Sequence, residues 1–301
     1  ARAKERFEQF RENISQQATR SLGKFTDISL DYARSMVDDH DQTVGVIGTL
    51  TEVDDPEARS VRMSVLGMAV AIELGLDGPQ TLEVGMTGLL HDIGLYAMDP
   101  KFRQPVESMS DADQWEYRKH PLISVLCLAD TMEIPASVQL AMQQVHEQFD
   151  GSGFPRGVKG RRIHTYARIL NVVDAYIQLT SPTPSRRAIV PHDALGLMLH
   201  QASRGMFDPK VIRAFLNIET LFPLGSLVEL SSGQLARVIR RPRCGFSAPV
   251  LQDMDGNRIE LQATSVEVAR PVCDPQAQQM RLRPELMQNS NWHPANHAVL
   301  A

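Results

Sequence analysis

Apolar residues recur at helical spacing in one segment after another between Val61 and Glu219, and the pattern stops at Phe222-Pro223. A chain patterned this way folds as packed helices. Val61, Val65, Met68 and Ile72 form the first clear stripe. Asp55 suits the N-cap of that helix and Pro56 its first turn, and the segment from Gly75 to Gly78 ends it. Further helices are predicted over 81–90, 110–130 with a kink at Pro121, 136–149, 166–179, 192–204 and 209–219. Upstream, Phe7, Phe10 and Ile14, and then Ile28, Tyr32 and Met36, read as amphipathic helices, with another over 44–53. Such helices either pad the main domain or serve as a dimerisation or sensory element. Beyond Pro223 the pattern changes to short β-prone runs at 226–230, 236–239 and 259–261, separated by Ser-Ser-Gly and Asp-Gly-Asn turns. The expected organisation is mainly α: an N-terminal helical segment (1–43), a helical domain (44–222), a small C-terminal β appendage (223–273) and a loose polar tail (274–301).

Composition excludes several function classes. Of 301 residues, 43% are hydrophobic and 22% charged, as in ordinary globular proteins and unlike disordered or collagen-like chains. A net charge of -5 gives no whole-chain attraction to duplex nucleic acid or an anionic membrane. Cys127, Cys244 and Cys273 are far apart and odd in number, which argues against a disulfide framework or a thiolate zinc site. Val61 to Leu76 is the longest apolar stretch, yet it contains Arg62 and Glu73 and is too short to span a bilayer. With no secretory signal visible, a cytoplasmic location is expected. The chain begins at Ala1 rather than Met, which reads as a trimmed start.

The chemistry gathers in a few residues. His91-Asp92 stands at a predicted helix end, where an imidazole and a carboxylate share an outlet and form a mixed N/O site for a divalent metal. The ordinary alternative is a His bonding the last helix carbonyls beside a capping Asp. His120 precedes Pro121, and His146 opens a string that runs into a glycine-rich loop. Asp174 lies in the middle of the apolar run 169–177, where a carboxylate is costly to bury unless paired or metal-bound. Arg168 and Arg186 are the expected ion-pair partners if Asp174 is structural. Each residue has an ordinary reading alone; together they fit a metal site better.

Five strings carry a resemblance: LLHDIG at 89–94, KHP at 119–121, HExxDGxGFPxGxxG at 146–160, ARILxVxD at 167–174 and FDP at 207–209. On these the chain resembles the HD-GYP domains, a subclass of the HD superfamily of metal-dependent phosphohydrolases, from about Val44 to Phe222. The resemblance implies a helical domain that binds two or three iron or manganese ions and hydrolyses cyclic di-GMP. By position it implies metal binding by His91, Asp92, His120, His146 and Asp174, with His91 and Asp92 catalytic and Asp92 as bridging ligand or proton acceptor. Asp55 falls where some members carry a Glu ligand. Arg186 and Lys159 fall at basic positions suited to substrate. The loop with Gly153, Phe154 and Pro155 borders the substrate pocket and is implied to contact GGDEF-type proteins; Arg156, Lys159, Arg161 and Arg162 beside it serve either as a solvated face or as a ligand contact.

Several positions depart from the family. Arg59 stands at the first metal-binding His and has no lone pair to donate. Val145 stands at the first His of a His-His pair. Leu95 replaces a phosphate-facing Lys, Thr183 an Arg, Ile177 an Asp, and Phe154 the Tyr of the GYP signature. These losses weaken at least one metal position and remove charge where a phosphoryl transition state needs it. Arg59 can supply some of that charge, since guanidinium groups bind phosphate well. Two readings stay open. One is a divergent phosphohydrolase with a degenerate ligand set, holding one or two iron or manganese ions in preference to zinc and acting on cyclic di-GMP or a related phosphodiester. The other is an inactive module that binds cyclic di-GMP or a GGDEF-type partner. The N-terminal helices are compatible with a homodimer.

Overall fold

The computed structural model describes residues 23–48, 56–103, 106–129, 134–183, 186–242, 245–263, 265–283 and 292. The helix expected around Phe7 to Ile14, the Asp55 cap, Cys244 and most of the segment after 283 lie outside the described residues. Ten α-helices are described: α1 (Gly23–Asp38), α2 (His40–Gly48), α3 (Pro56–Glu73), α4 (Gly78–Leu90), α5 (Asp111–Tyr117), α6 (His120–Leu128), α7 (Ala136–Gln144), α8 (Thr165–Thr180), α9 (Pro191–Ser203) and α10 (Pro209–Glu219).

Two helices form the centre. α3 is buried on every side from Ser60 to Ala71, and α8 is buried from Tyr166 to Thr180 apart from Arg168. A helix apolar all round has to be enclosed by others. α3 packs against α4, α8 and α10, and α8 also packs against α9. Met63, Leu66, Met68, Leu89, Leu90, Met142, Ile169, Leu170 and Phe215 belong to one continuous core.

Local chemistry sets the helix ends. α4 begins at Gly78, three residues before its apolar stripe, because Asp77 and Gln80 form a reciprocal capping box. The helix expected over 110–130 is two helices, and the break falls at Arg118-Lys119 rather than at Pro121. Pro121 sits in the first turn of α6, where a missing N–H leaves nothing unbonded. This break puts His120 at a helix start. α7 likewise stops at Gln144, so His146 stands on the turn that follows.

The C-terminal appendage is a five-stranded antiparallel sheet in the order β5-β4-β3-β2-β6. Its strands are β2 (Leu227–Leu230), β3 (Leu235–Arg240), β4 (Val250–Asp253), β5 (Arg258–Glu260) and β6 (Val268–Val272). Val228, Leu230, Ala236, Val238, Leu251 and Leu261 give it a core of its own. β4 and β6 were not expected from the sequence. β6 contains Pro271, tolerated because β6 is an edge strand. The sheet is tied to the N-terminal helices: Arg240 pairs with Asp39, and Arg241 Nε with Asp41 Oδ1 at 2.6 Å.

The described part of the tail is not loose. β7 (Gln279–Met280) pairs in parallel with β1 (Ala188–Ile189). Arg281 Nε and the Leu282 N–H donate to Asp193 Oδ2 at 2.6 and 2.9 Å. Leu282 and Trp292 are buried in the helical core. Hidden apolar groups within a polar-looking stretch explain the difference. Among the described residues, no helix is long and apolar enough to cross a membrane.

Candidate metal centre

Five segments supply the side chains of the site: the start of α3 (Arg59), the end of α4 (His91, Asp92), the start of α6 (His120), the turn after α7 (His146) and the middle of α8 (Asp174). His91 Nδ1 lies 2.9 Å from the Gly88 carbonyl, and His120 Nδ1 lies 2.8 Å from the Tyr117 carbonyl. A carbonyl only accepts, so each Nδ1 carries the proton and each Nε2 keeps its lone pair. These two nitrogens and His146 Nε2 converge on Asp92. His91 Nε2 is 3.1 Å from Oδ2, His120 Nε2 is 3.2 Å from Oδ1, and His146 Nε2 is 3.4 Å from Oδ1. The Nε2 atoms of His91 and His120 are buried at ion-pair distance but make no hydrogen bond.

Close backbone approach makes this convergence possible. A Cβ on Gly94 would stand 2.5 Å from the His120 carbonyl oxygen and 2.5 Å from the Ser124 nitrogen, so only glycine lets α6 come this near. Ser124 Oγ stitches the two segments, donating to the His91 carbonyl at 2.6 Å and accepting from the Gly94 N–H at 2.9 Å. Gly153 has the same role in the glycine-rich loop, since a Cβ there would meet Gln148 N at 2.2 Å. The buried Glu147 carboxylate accepts the N–H groups of Arg156 and Val158 at 2.8 and 2.9 Å and so pins that loop. Phe154 then lies over His146, with ring centroids 4.9 Å apart and planes inclined by 15°.

Asp174 is held on both oxygens. Arg59 Nη2 donates to Oδ1, and Gln178 Nε2 donates to Oδ2 at 2.8 Å. His146 Nδ1 lies 3.6 Å from the same Oδ2. Neither arginine expected beside Asp174 pairs with it. Arg168 pairs with Asp208, the N-cap of α10. Arg186 donates to the carbonyls of Gln178, Leu179, Ser181 and Arg187 near the end of α8.

The other expected residues are dispersed. Lys159 is exposed on the loop beyond Phe154. Phe154 itself is buried against His120, His146 and Tyr117, while Gly153 and Pro155 are half-buried. The Phe154 ring therefore stands against the imidazoles, away from the exposed side of the loop. Val145 is buried in the apolar core, and its carbonyl accepts from Asn171 Nδ2 at 3.2 Å. Leu95 packs on the small cluster of Phe102, Val106, Tyr117 and Phe154. Ser124, Gln178 and Glu147 were not singled out as site residues from sequence; only Glu147 had a signal, its place inside the HExxDG string.

Electrostatics favour an ionised carboxylate. Burial pushes Asp92 up, but whenever the imidazoles of His91, His120 and His146 carry protons toward it, their charge and donation outweigh burial and hold Asp92 well below the usual carboxylate range. Burial also pushes Asp174 up, and Arg59 overrides it to a net lowering. His91 is depressed by burial yet raised overall by Asp92, whereas for His120 burial prevails and the ring is the weaker base.

Ligand atoms of His91, Asp92 and His146 all lie within 4.8 Å of one another. Two imidazole nitrogens without hydrogen bonds around a low-lying carboxylate are a mixed N/O donor set of the kind divalent iron, manganese and zinc accept. Nδ1–H bonds to backbone carbonyls are the usual outer support for such ligands. A family model described as HD domain matches residues 49–211.

The chain belongs to the HD domain family.

The donor set fits the divalent metal that membership in the HD domain family implies. The chain is 35% identical over 183 residues to the cyclic di-GMP phosphodiesterase PA4108 of Pseudomonas aeruginosa, covering 60% of this chain and 44% of that protein. It is 25% identical over 180 residues to the cyclic di-GMP phosphodiesterase PdeB of Borreliella burgdorferi, covering 60% of this chain and 47% of the relative. The chain thus spans about half the length of the curated relatives it matches. The solved structure of Bd1817, an HDGYP protein from Bdellovibrio bacteriovorus, superposes with a TM-score of 0.56 at 20% identity, over 71% of this chain and 67% of that one. That likeness shows a shared HD fold.

Proposed function

We propose that this HD domain is a metal-dependent phosphodiesterase acting on cyclic di-GMP in bacterial signalling. The observation that carries the reading is the convergence of three imidazole Nε2 atoms on the ionised Asp92, two of them buried without a hydrogen bond. The relatives named as cyclic di-GMP phosphodiesterases support the choice of substrate.

His91, Asp92 and His146 would hold the ion, with His120 beside them; iron or manganese is the ion this reading takes, within a donor set that zinc also accepts. Such an ion supplies positive charge that acidifies a water and polarises a phosphoryl oxygen. The chain's own groups do the rest. Asp92, with 18% of its side chain exposed, presents an anionic oxygen that accepts a hydrogen bond from the attacking water and orients it. Arg59 is anchored by Asp174 yet keeps 29% of its side chain exposed, so its remaining donors face the phosphodiester. Phe154 walls off His146 and offers an apolar face near the nucleotide. Exposed Lys159 and Arg156 supply outer positive charge, and they are the loop groups available to a GGDEF-type partner.

The test is hydrolysis of cyclic di-GMP by protein reconstituted anaerobically with Mn(II) or Fe(II), with His91→Ala as control. Linear dinucleotide or GMP that vanishes in the control is the expected result. No turnover together with retained cyclic di-GMP binding would replace this reading with a binding module.

A further inference from the structure

The charges in the site set a limit on how many ions it takes. Asp92 and Asp174 contribute two negative charges, Arg59 one positive charge, and the imidazoles none when they act as ligands. These groups therefore carry one net negative charge before any ion enters. One divalent ion brings it to one net positive charge, which matches a phosphodiester anion. A second would bring it to three positive charges in a poorly solvated site, a state that strong repulsion opposes.

Ligand geometry points the same way. Asp174 Oδ1 already holds the Arg59 guanidinium and Oδ2 accepts from Gln178, so a second ion bound to Asp174 would have to share the carboxylate with a fixed cation. Val145 turns into the apolar core and offers no donor. The group whose ligand atoms approach one another within 4.8 Å is His91, Asp92 and His146, and it leaves Asp174 out. Arg59 also keeps a buried Nε with no hydrogen-bond partner, so its fork is not fully used by Asp174.

We infer that the site holds a single divalent ion and that the Arg59 guanidinium is a built-in second cation, seated on Asp174. This rests on the metal-binding part of the proposed function. Its consequence is a phosphodiester site whose second positive charge is covalently fixed and independent of metal supply. Arg59 is here a residue that binds and positions the phosphodiester, and Gln178 positions Asp174 beneath it.

The test uses the full chain, stripped of metal, loaded with excess Mn(II), passed through a desalting column and analysed for metal by mass spectrometry. Electron paramagnetic resonance on the same samples separates isolated from exchange-coupled ions. One Mn(II) per chain with the spectrum of an isolated ion is expected. Arg59→His, which removes the fixed cation and adds a lone pair, should raise the content toward two with a coupled spectrum, while Arg59→Lys should stay at one. Two coupled ions in the unaltered chain would overturn the inference and leave the proposed function standing. One ion without turnover would support the inference and count against catalysis. No retained ion would overturn the inference and the metal-dependent reading together. If Arg59→His does not fold, Asp174→Asn serves instead. A content still at one ion in that variant is expected, because Asp174 is not a ligand; loss of the ion would overturn the inference.

Discussion

Arg59 on α3 and Asp174 on α8 stand 115 residues apart in sequence and close an ion pair between the two central helices. Asp174 is 4% exposed in its side chain, so its charge depends on this partner. Removing one member of a buried pair leaves the other uncompensated, typically at about 3–5 kcal/mol. Arg59 is partly exposed and water can replace some of it, so Arg59→Ala should cost less, about 2–3 kcal/mol. Urea unfolding checks the value. Asp174→Asn added to Arg59→Ala should recover part of the loss, because the stranded charge is then gone.

A second prediction concerns the approach of α6 to the end of α4. At Gly94 an added methyl would meet backbone atoms, the His120 carbonyl and the Ser124 nitrogen, which have nowhere to retreat without moving the helix. Gly94→Ala should therefore destabilise by about 1–3 kcal/mol, the usual cost of overpacking. It should also shift His120 away from Asp92 and weaken Mn(II) binding. Ser124→Ala removes the stitch without adding bulk and should show a smaller loss of the same kind. Thermal unfolding and Mn(II) titration of both variants separate the two effects.

The site was legible in sequence where chemistry restricts the residue type. His91, Asp92, His120, His146 and Asp174 stand in strings that tolerate few alternatives, and the folded chain brings them together. Partners were harder to read. Arg168 lies six positions before Asp174 on the same helix, a spacing that puts the two on different faces, so nearness in sequence misled. Its true partner, Asp208, belongs to another helix. Arg186 carries a charge suited to phosphate, but the carbonyls at the end of α8 claim it. The helical domain followed from its periodicity, whereas β6, with Pro271 in a short run, hid behind a residue that argues against strands. The buried anchor Trp292 sits in a polar context that no pattern marks.

Away from the site, Glu219 gives a pH dependence. It is buried on α10, accepts the Tyr176 hydroxyl at 2.9 Å, and burial pushes its carboxyl up to about 6 despite Arg62. An unfolded Glu titrates near 4.3. Between those values the unfolded chain has released its proton and the folded chain still holds it. Stability from this group is thus fully present below about pH 4 and declines as pH rises through about 6, where the loss reaches about 2 kcal/mol. Glu219→Gln keeps an acceptor for Tyr176 and lacks the titration. Relative to the unaltered chain it should gain about 2 kcal/mol between pH 4 and pH 7. Urea unfolding at the two values tests this, and a pH-independent difference between the proteins would refute it.

The glycine-rich loop should depend on Glu147 more than on any exposed residue in it. The Glu147 carboxylate sits beneath the loop and accepts the N–H groups of Arg156 and Val158. Glu147→Ala would strand both donors, at about 1–3 kcal/mol for each one left without water. Glu147→Gln keeps one carbonyl acceptor but turns an amide toward the second N–H, so it should lie between the two. The loosened loop would release Phe154 from its stack on His146. Limited proteolysis should therefore cut the Ala variant near Arg156, Lys159, Arg161 and Arg162 with trypsin under conditions where the unaltered chain resists. Exposed basic residues are present in both proteins, so a difference in cleavage reads the order of the loop rather than the presence of target sites. Equal cleavage would mean that the loop is held by Gly153 and its neighbours alone.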